Sequence, residues 1–319
     1  MLGRPDPKVT FVIPALNVED TIVQCLEAIF AQKTDMPFEV ILLDNGSTDR
    51  TVEIAKGFDV WVFKRPGLSV AALRNLGAKL SKGDIIAYVD ADCIISDDWL
   101  ETATRHFNSP EVGAVGSPTL LPDNATWVQK AWYCQRKSID EPVYVEWLPT
   151  ENLLVRKDVF CKVGGFNEEL ITCEDVDFCY RINEHCKILC DPAIRSIHLG
   201  EARSLKHFFK KEFWRGKGNI TGALSHGLSL KELPSIVFPV YYLITIFFVL
   251  IGLGLFFYRH NWWILVTALF MLLLPSLLLS FRTCYRNRSF KWFFALVILY
   301  IDYGIARALA ILFPKDNRK

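Results

Sequence analysis

Over the first 120 residues, short apolar runs alternate with stretches whose apolar residues recur at helical spacing. Residues 9–13 (Val-Thr-Phe-Val-Ile) predict a strand ended by Pro14, and residues 39–43 (Glu-Val-Ile-Leu-Leu) predict a second, stopped at Asp44-Asn45-Gly46. Between them, Ile22, Cys25, Leu26, Ile29 and Phe30 share one helical face. Thr48-Asp49 opens a helix through Lys56 in the manner of an N-cap. Residues 59–63 predict a third strand, Ser69 caps a helix to Leu80, and strands follow at 84–89 and 112–115. Uniformly apolar strands separated by helices predict a parallel sheet covered on both faces. Residues 151–200 read as a second lobe of the same globule: a strand at 152–155, a short helix at 157–163 and a sharp turn at Gly164-Gly165-Phe166. A helix then covers 174–184, with Val176, Cys179, Tyr180 and Ile182 pointing inward.

The pattern then changes twice. From Ser204 to Lys217, six basic or imidazole side chains (Lys206, His207, Lys210, Lys211, Arg215, Lys217) interleave with Phe208, Phe209, Phe213 and Trp214. A basic, aromatic helix just before a hydrophobic block reads as a membrane-surface element. Residues 237–257 and 262–281 are uncharged and long enough to cross a hydrocarbon core of about 30 Å. Residues 292–313 form a third candidate span, with Asp302 and Arg307 inside it. The loop between the second and third spans carries Arg282, Arg286, Arg288 and Lys291. The positive-inside rule makes that loop cytoplasmic, and the N-terminal region with it. Three crossings would then put the basic tail 315–319 on the opposite side, against the same rule. The expected boundaries are a globular domain at 1–203, an interface segment at 204–233 and a transmembrane region at 234–319.

Composition agrees with this division. Of the 319 residues, 51% are hydrophobic, and a mean hydropathy of +0.22 is high for a soluble enzyme and low for a pure membrane bundle. Met1 to Lys8 is polar and proline-rich, so no secretory signal peptide is expected. The net charge of +1 selects no partner. Nine cysteines without a C-x-x-C pair predict reduced thiols, and Cys186 and Cys190 beside His185 match no zinc spacing.

The candidate chemistry sits where the strands end, the edge at which open α/β sheets bind ligands. No G-x-G-x-x-G follows the first strand, which argues against a dinucleotide-binding domain. Asp90-Ala91-Asp92 ends the fourth strand, and two hard oxygen ligands on a tight turn suit Mg²⁺ or Mn²⁺. Read alone, the same tripeptide is more often a solvated turn. Asp44 can accept an N–H from a pyrimidine ring, or serve its own Asx turn. Arg74, beside Asn75 on the third helix, can present a guanidinium to a diphosphate.

Four motifs in order carry a resemblance: Val-Ile-Pro-Ala-Leu-Asn at 12–17, Asp-Asn-Gly-Ser-Thr-Asp at 44–49, Leu-Arg-Asn-Leu-Gly at 73–77 and Asp-Ala-Asp at 90–92. The chain resembles the family 2 glycosyltransferases of the GT-A fold, over roughly residues 8–200. The resemblance implies an α/β, Rossmann-like nucleotide-diphospho-sugar transferase domain followed by transmembrane helices. It also implies that Asp44 contacts the base, Arg74 the nucleotide, Asp90 the ribose and Asp92 a divalent Mn²⁺ or Mg²⁺. Pro14, Asn17 and Glu19 would lie beside the nucleotide. Glu174-Asp175 resembles the family's Glu-Asp pair, whose second acid is the base; a helix N-terminus also favours acids there. His198 is either a further metal ligand, as in some relatives, or a structural histidine. Gly165, Arg203 and Arg215 would lie on the acceptor and lipid side, where a basic segment can hold a lipid phosphate.

The processive members carry a Q-x-x-R-W pattern, absent from Phe213-Trp214-Arg215-Gly216-Lys217-Gly218, so addition of a single sugar is expected. The expected protein is therefore an integral membrane enzyme of a bacterial plasma membrane with its catalytic domain in the cytoplasm. It would be inverting and metal-dependent, moving a sugar from a nucleotide donor, UDP-linked, to a lipid-anchored acceptor in cell-envelope glycan or glycolipid synthesis. No nucleic-acid partner is expected. The rivals are a synthase that charges polyprenyl phosphate with a sugar and a silent membrane scaffold retaining the nucleotide fold.

Overall fold

The computed structural model describes residues 6–136, 138–218, 233–260 and 262–313. The chain forms two compact units: Met1–Pro122 with Ser138–Gly200, and Asp123–Lys137 with Glu201–Lys319.

The first unit is built on an eight-stranded sheet of order β3-β2-β1-β4-β8-β6-β9-β7. Strands β1 (Val9–Ala15), β2 (Phe38–Asp44), β3 (Trp61–Lys64) and β4 (Ile85–Val89) run parallel, as the buried apolar runs of β1, β2 and β4 predict; β3, at the sheet edge, is only partly covered. Pro14 does not end β1. It sits inside the strand opposite Leu43, one residue before the register closes at Ala15 and Asp44. The sheet is also not wholly parallel. Strand β8 (Asn152–Arg156) inserts antiparallel between β4 and β6 (Val112–Gly116), and β7 (Val143–Val145) runs antiparallel to β9 (Lys187–Cys190). A strand buried on both faces has the same apolar run in either direction, so the pattern carries no sign of β8's polarity. Burial at Phe11, Ile13, Leu42, Val89 and Trp99 defines one face of the core; Val12, Ile41, Tyr88 and Leu153 define the other.

Helices α1 (Ile22–Phe30), α2 (Thr51–Ala55), α3 (Val70–Leu80), α6 (Lys157–Val163) and α7 (Glu174–Asn183) belong to this unit, with α4 (Trp99–Thr104). Ser69 caps α3 as expected, its side chain accepting from the Ala72 amide. Helix α2 opens at Thr51, not at Thr48. Asp49 Oδ1 accepts from the Thr51 amide and hydroxyl at 3.0 and 2.6 Å, leaving Thr48 to a different partner. On α7, Cys179 and Ile182 are buried as predicted, but Val176 and Tyr180 are only half-covered, and Asp177 and Phe178 point inward instead. A short two-stranded sheet pairs β5 (Cys93–Ile95) antiparallel with β10 (Ser196–His198), setting His198 opposite Cys93.

The second unit is helical: α5 (Trp127–Tyr133), α8 (Leu205–Gly216), α9 (Leu233–Arg259), α10 (Trp263–Arg286) and α11 (Phe293–Leu312). Helix α5 has no counterpart in the sequence-based expectations, although Thr126 and Gln129 form a capping box at its start. Trp132 on α5 meets Phe208 and Tyr300 edge-on at 4.7 and 5.5 Å between ring centroids. Helices α9, α10 and α11 are each long and apolar enough to cross a membrane. Much of the expected interface segment, 219–232, and the tail 315–319 lie outside the described residues.

Candidate active site

Two loops at the ends of β1 and β2 are laced together by the side chains expected near a nucleotide. Asn17, in left-handed backbone (φ +52°), accepts from the Thr48 amide at 2.9 Å and donates its own amide to Ser47 Oγ at 2.9 Å. Glu19 accepts from the Arg50 amide at 3.0 Å. Asp44 is fully buried and accepts from the Gly46 and Ser47 amides, so its carboxylate shapes the Asp-Asn-Gly-Ser-Thr-Asp loop. These bonds hold the loop in one conformation at the carboxyl edge of the sheet.

Arg74 lies at the centre of the site's electrostatics. Helix α3 turns it inward, where it is 3% exposed. Its guanidinium donates to Asp90 Oδ1 at 2.9 Å and to Glu174 Oε1 at 2.7 Å. The cation expected to meet a diphosphate is thus committed to two carboxylates, fixing the end of β4 relative to the start of α7. Burial still raises the Asp90 carboxyl above its ordinary range, against the opposing pull of Arg74.

Asp92 stands just beyond. The β5–β10 pairing and the bond from the Leu199 amide to the Asp92 carbonyl (2.8 Å) bring His198 Nε2 to 3.3 Å from Asp92 Oδ2. On the other side of the ring, His198 Nδ1 lies 3.4 Å from Glu151 Oε2, and Glu151 accepts from the Thr119 hydroxyl at 2.6 Å. Asp92, Cys93 and His198 each bring a potential ligand atom within 4.8 Å of the others. Gly200 packs directly against this corner: a Cβ there would lie 1.9 Å from Asp92 Oδ2 and 3.0 Å from His198 Nε2. A carboxylate with an imidazole, flanked by a second carboxylate and beside a position that tolerates no side chain, is a donor set that fits a divalent cation.

Across from Arg74, α7 begins at Glu174 and Asp175. Burial, reinforced by the neighbouring Glu174 charge, pushes the Asp175 carboxyl up to about 7. It therefore holds a proton far more readily than an ordinary aspartate, the property a general base needs near neutral pH. The turn before α7 is fixed from α3. Asn75 Oδ1 accepts from the Phe166 amide at 2.8 Å, and its Nδ2 donates to the Phe166 carbonyl at 2.9 Å. Gly165 adopts φ +75°, and a Cβ there would meet Asn75 Oδ1 at 2.6 Å, so the turn and its clamp require glycine. Arg181 donates to the Gly165 carbonyl at 2.7 Å.

In the helical unit, Arg203 is exposed and Arg215 donates to Glu212 at 2.8 Å. Glu151, Gly200 and Asn75 are the residues to which sequence reasoning gave no role. Asn75 adjoins Arg74 in a motif already singled out, whereas a lone acid before a strand and a lone glycine carry no local signal.

The fold is that of a nucleotide-sugar transferase, and the motifs lie at its ligand edge. The glycosyl transferase family 2 profile matches residues 10–148, and the chain belongs to that family. Glycosyltransferase AglE of Haloferax volcanii is 30% identical over 245 residues, covering 71% of this chain and 77% of the relative. The glucosyl-dolichyl phosphate glucuronosyltransferase of the same organism is 26% identical over 242 residues, covering 66% and 75%. Among solved structures, the mannosyltransferase PcManGT from Pyrobaculum calidifontis, in complex with GDP-Man and Mn²⁺, superposes with a TM-score of 0.62. It is 19% identical, over 98% of this chain and 89% of that one, and the likeness establishes the shared GT-A fold.

Proposed function

We propose that this glycosyltransferase is an inverting, metal-dependent enzyme that adds one sugar from a nucleoside-diphosphate donor, UDP-linked, to the hydroxyl of a lipid-anchored acceptor. The observation that carries the reading is the pairing of Asp92 with His198, set close against Gly200, together with a carboxyl at Asp175 whose proton affinity is raised. Asp92 and His198 would hold a divalent cation, with Glu151 orienting the imidazole. When bound, that ion offsets the charge that develops on the diphosphate. Asp90, positioned by Arg74, faces the ribose; Asp44 and the loop locked by Asn17 and Glu19 enclose the base beside Pro14. Arg74 is thus a positioning residue.

In the reaction, the acceptor oxygen forms its bond to the anomeric carbon from the face opposite the diphosphate. The bond from that carbon to the diphosphate oxygen breaks, and its electron pair leaves with the nucleoside diphosphate. The acceptor proton passes to the Asp175 carboxylate. The glucuronosyltransferase relative is named for a lipid-linked sugar, which supports a lipid-anchored acceptor here. Gly165, in the turn before α7, and Arg203 and Arg215 in the helical unit are assigned to the acceptor and lipid side, with the catalytic unit on the cytoplasmic face.

The test is a panel of UDP-, GDP- and dTDP-linked sugars offered to the purified protein in lipid with Mn²⁺ or Mg²⁺, with lipid-linked hydroxyl and polyprenyl phosphate acceptors. Release of UDP with a hydroxyl acceptor, abolished by EDTA, is expected. Turnover only with polyprenyl phosphate would replace this reading with the synthase. Release with no combination would leave a silent scaffold.

A further inference from the structure

Helix α11 is long enough to cross a bilayer, but its surroundings differ from those of α9 and α10. Its most apolar window has a mean hydropathy of 1.9 and is 39% buried, whereas the windows of α9 and α10 reach 2.5 and are 22% and 17% buried. Protein covers α11 on several sides: Ala306, Ala308 and Ala310 are all fully buried, although residues two apart point in widely different directions around a helix.

The neighbour along its second half is α8. The two helices run parallel, in successive contacts along their length. Phe208 and Leu299 share a core cluster, Glu212 accepts from Arg307 at 2.9 and 3.0 Å, and the Phe213 and Phe313 rings approach to 6.5 Å. At Gly216 the helices are so close that a Cβ would lie 2.6 Å from Ala310 Cβ. Helix α8 has 12 residues, and Lys206, Lys210, Lys211 and Arg215 are among them. A segment with four cations does not lie in hydrocarbon, because each would forfeit its hydration. The half of α11 packed along it must therefore lie at headgroup depth too.

The contacts of α11 with the α9–α10 hairpin agree. Tyr303 and Gly304 meet Phe238 and Tyr242 in the first turns of α9; Tyr300 and Leu296 meet Thr283 and Cys284 in the last turns of α10. All of these lie at the same end of the hairpin. The turn leading into α11 is also of headgroup character: Arg286 and Arg288 line a cavity of about 480 Å³ together with Tyr285 and Phe290.

We propose that α11 does not cross the membrane but lies beside α8 as an in-plane platform whose partner is an anionic lipid surface. The chain then crosses twice, by α9 and α10, and its C-terminus returns to the side of its N-terminus. This also removes the charge conflict of a three-span topology. Arg282, Arg286, Arg288 and Lys291 before α11, and Lys315, Arg318 and Lys319 after it, then share one side.

The test uses the full-length, unmutated chain with one epitope tag at each terminus, in sealed membrane vesicles of single orientation treated with an impermeant protease. Two crossings give a matched result, with both tags lost from one vesicle orientation and both retained in the other. Three crossings give loss of one tag and retention of the other in either orientation, which would overturn the proposal. The readout does not depend on donor, acceptor or turnover, so it stands apart from the catalytic reading.

Discussion

Two buried ion clusters in this molecule are mirror images in charge. In the catalytic unit one cation, Arg74, is shared by two anions, Asp90 and Glu174, for a net charge of −1. In the helical unit one anion, Glu212, is shared by two cations, Arg215 and Arg307. Both use the same chemistry to tie distant segments: Arg74 and Glu174 are 100 residues apart, Glu212 and Arg307 are 95. Surplus negative charge beside Asp92 and Asp175 favours a divalent cation and a carboxyl that retains its proton. The lysines of α8, Lys206, Lys210 and Lys211, favour an anionic lipid surface.

The sharpest way to probe the negative pole is Asp175→Asn. We expect transfer to a hydroxyl to fall by roughly 10²- to 10⁴-fold, with transfer to a phosphate acceptor only impaired, since a phosphate is already ionised and needs no base. Equal and complete loss on both acceptors would break the assignment. In the unsubstituted enzyme, Asp175 accepts a proton only when ionised. With its carboxyl raised to about 7, the rate on a hydroxyl should climb as pH rises through neutrality and level off above it. A rate already flat at pH values near an ordinary aspartate's pKa would contradict this.

Asp92→Asn should lower turnover by roughly 10³-fold and weaken Mn²⁺ binding measured by titration, while the thermal unfolding midpoint without metal stays put. Unchanged Mn²⁺ affinity would remove Asp92 from the ligand set.

The mirror itself is tested by removing each cation. Arg74→Met strands two carboxylates and should cost about 3–5 kcal/mol in denaturant unfolding of the catalytic unit. Arg307→Met leaves Glu212 its bond from Arg215, so the loss should be nearer 1–3 kcal/mol. Equal losses would mean that the second arginine does not compensate.

Much of the fold was legible because burial writes itself into composition. The runs at β1, β2 and β4 and the Ser69 cap stand where their patterns put them. The direction of β8 was not legible, since strand pairing between residues such as Leu153 and Tyr88 leaves no local trace. Within the site, Asp44, Asp90 and Asp92 were singled out by their place at strand ends, and Asp175 by its likeness to the family's Glu-Asp pair at what is a helix start. The burial of Arg74 was missed because arginine is normally exposed, and only its two partners make an interior position tolerable. Glu151 and Gly200 acquire meaning only through His198 and Asp92, which no spacing rule connects to them.

The contact between Asp92 and His198 spans 106 residues of chain. At ribosomal rates of about 5–20 residues per second, that interval is roughly 5–20 seconds of synthesis. The early strands can collapse during this time, but the Asp92 carboxylate has no imidazole beside it until β10 emerges and pairs with β5. A nascent chain stalled before Ser196 would hold the four parallel strands and still lack the completed corner. The pairing of two three-residue strands, formed late and far from where the motif begins, thus decides when the newborn protein brings Asp92 and His198 together.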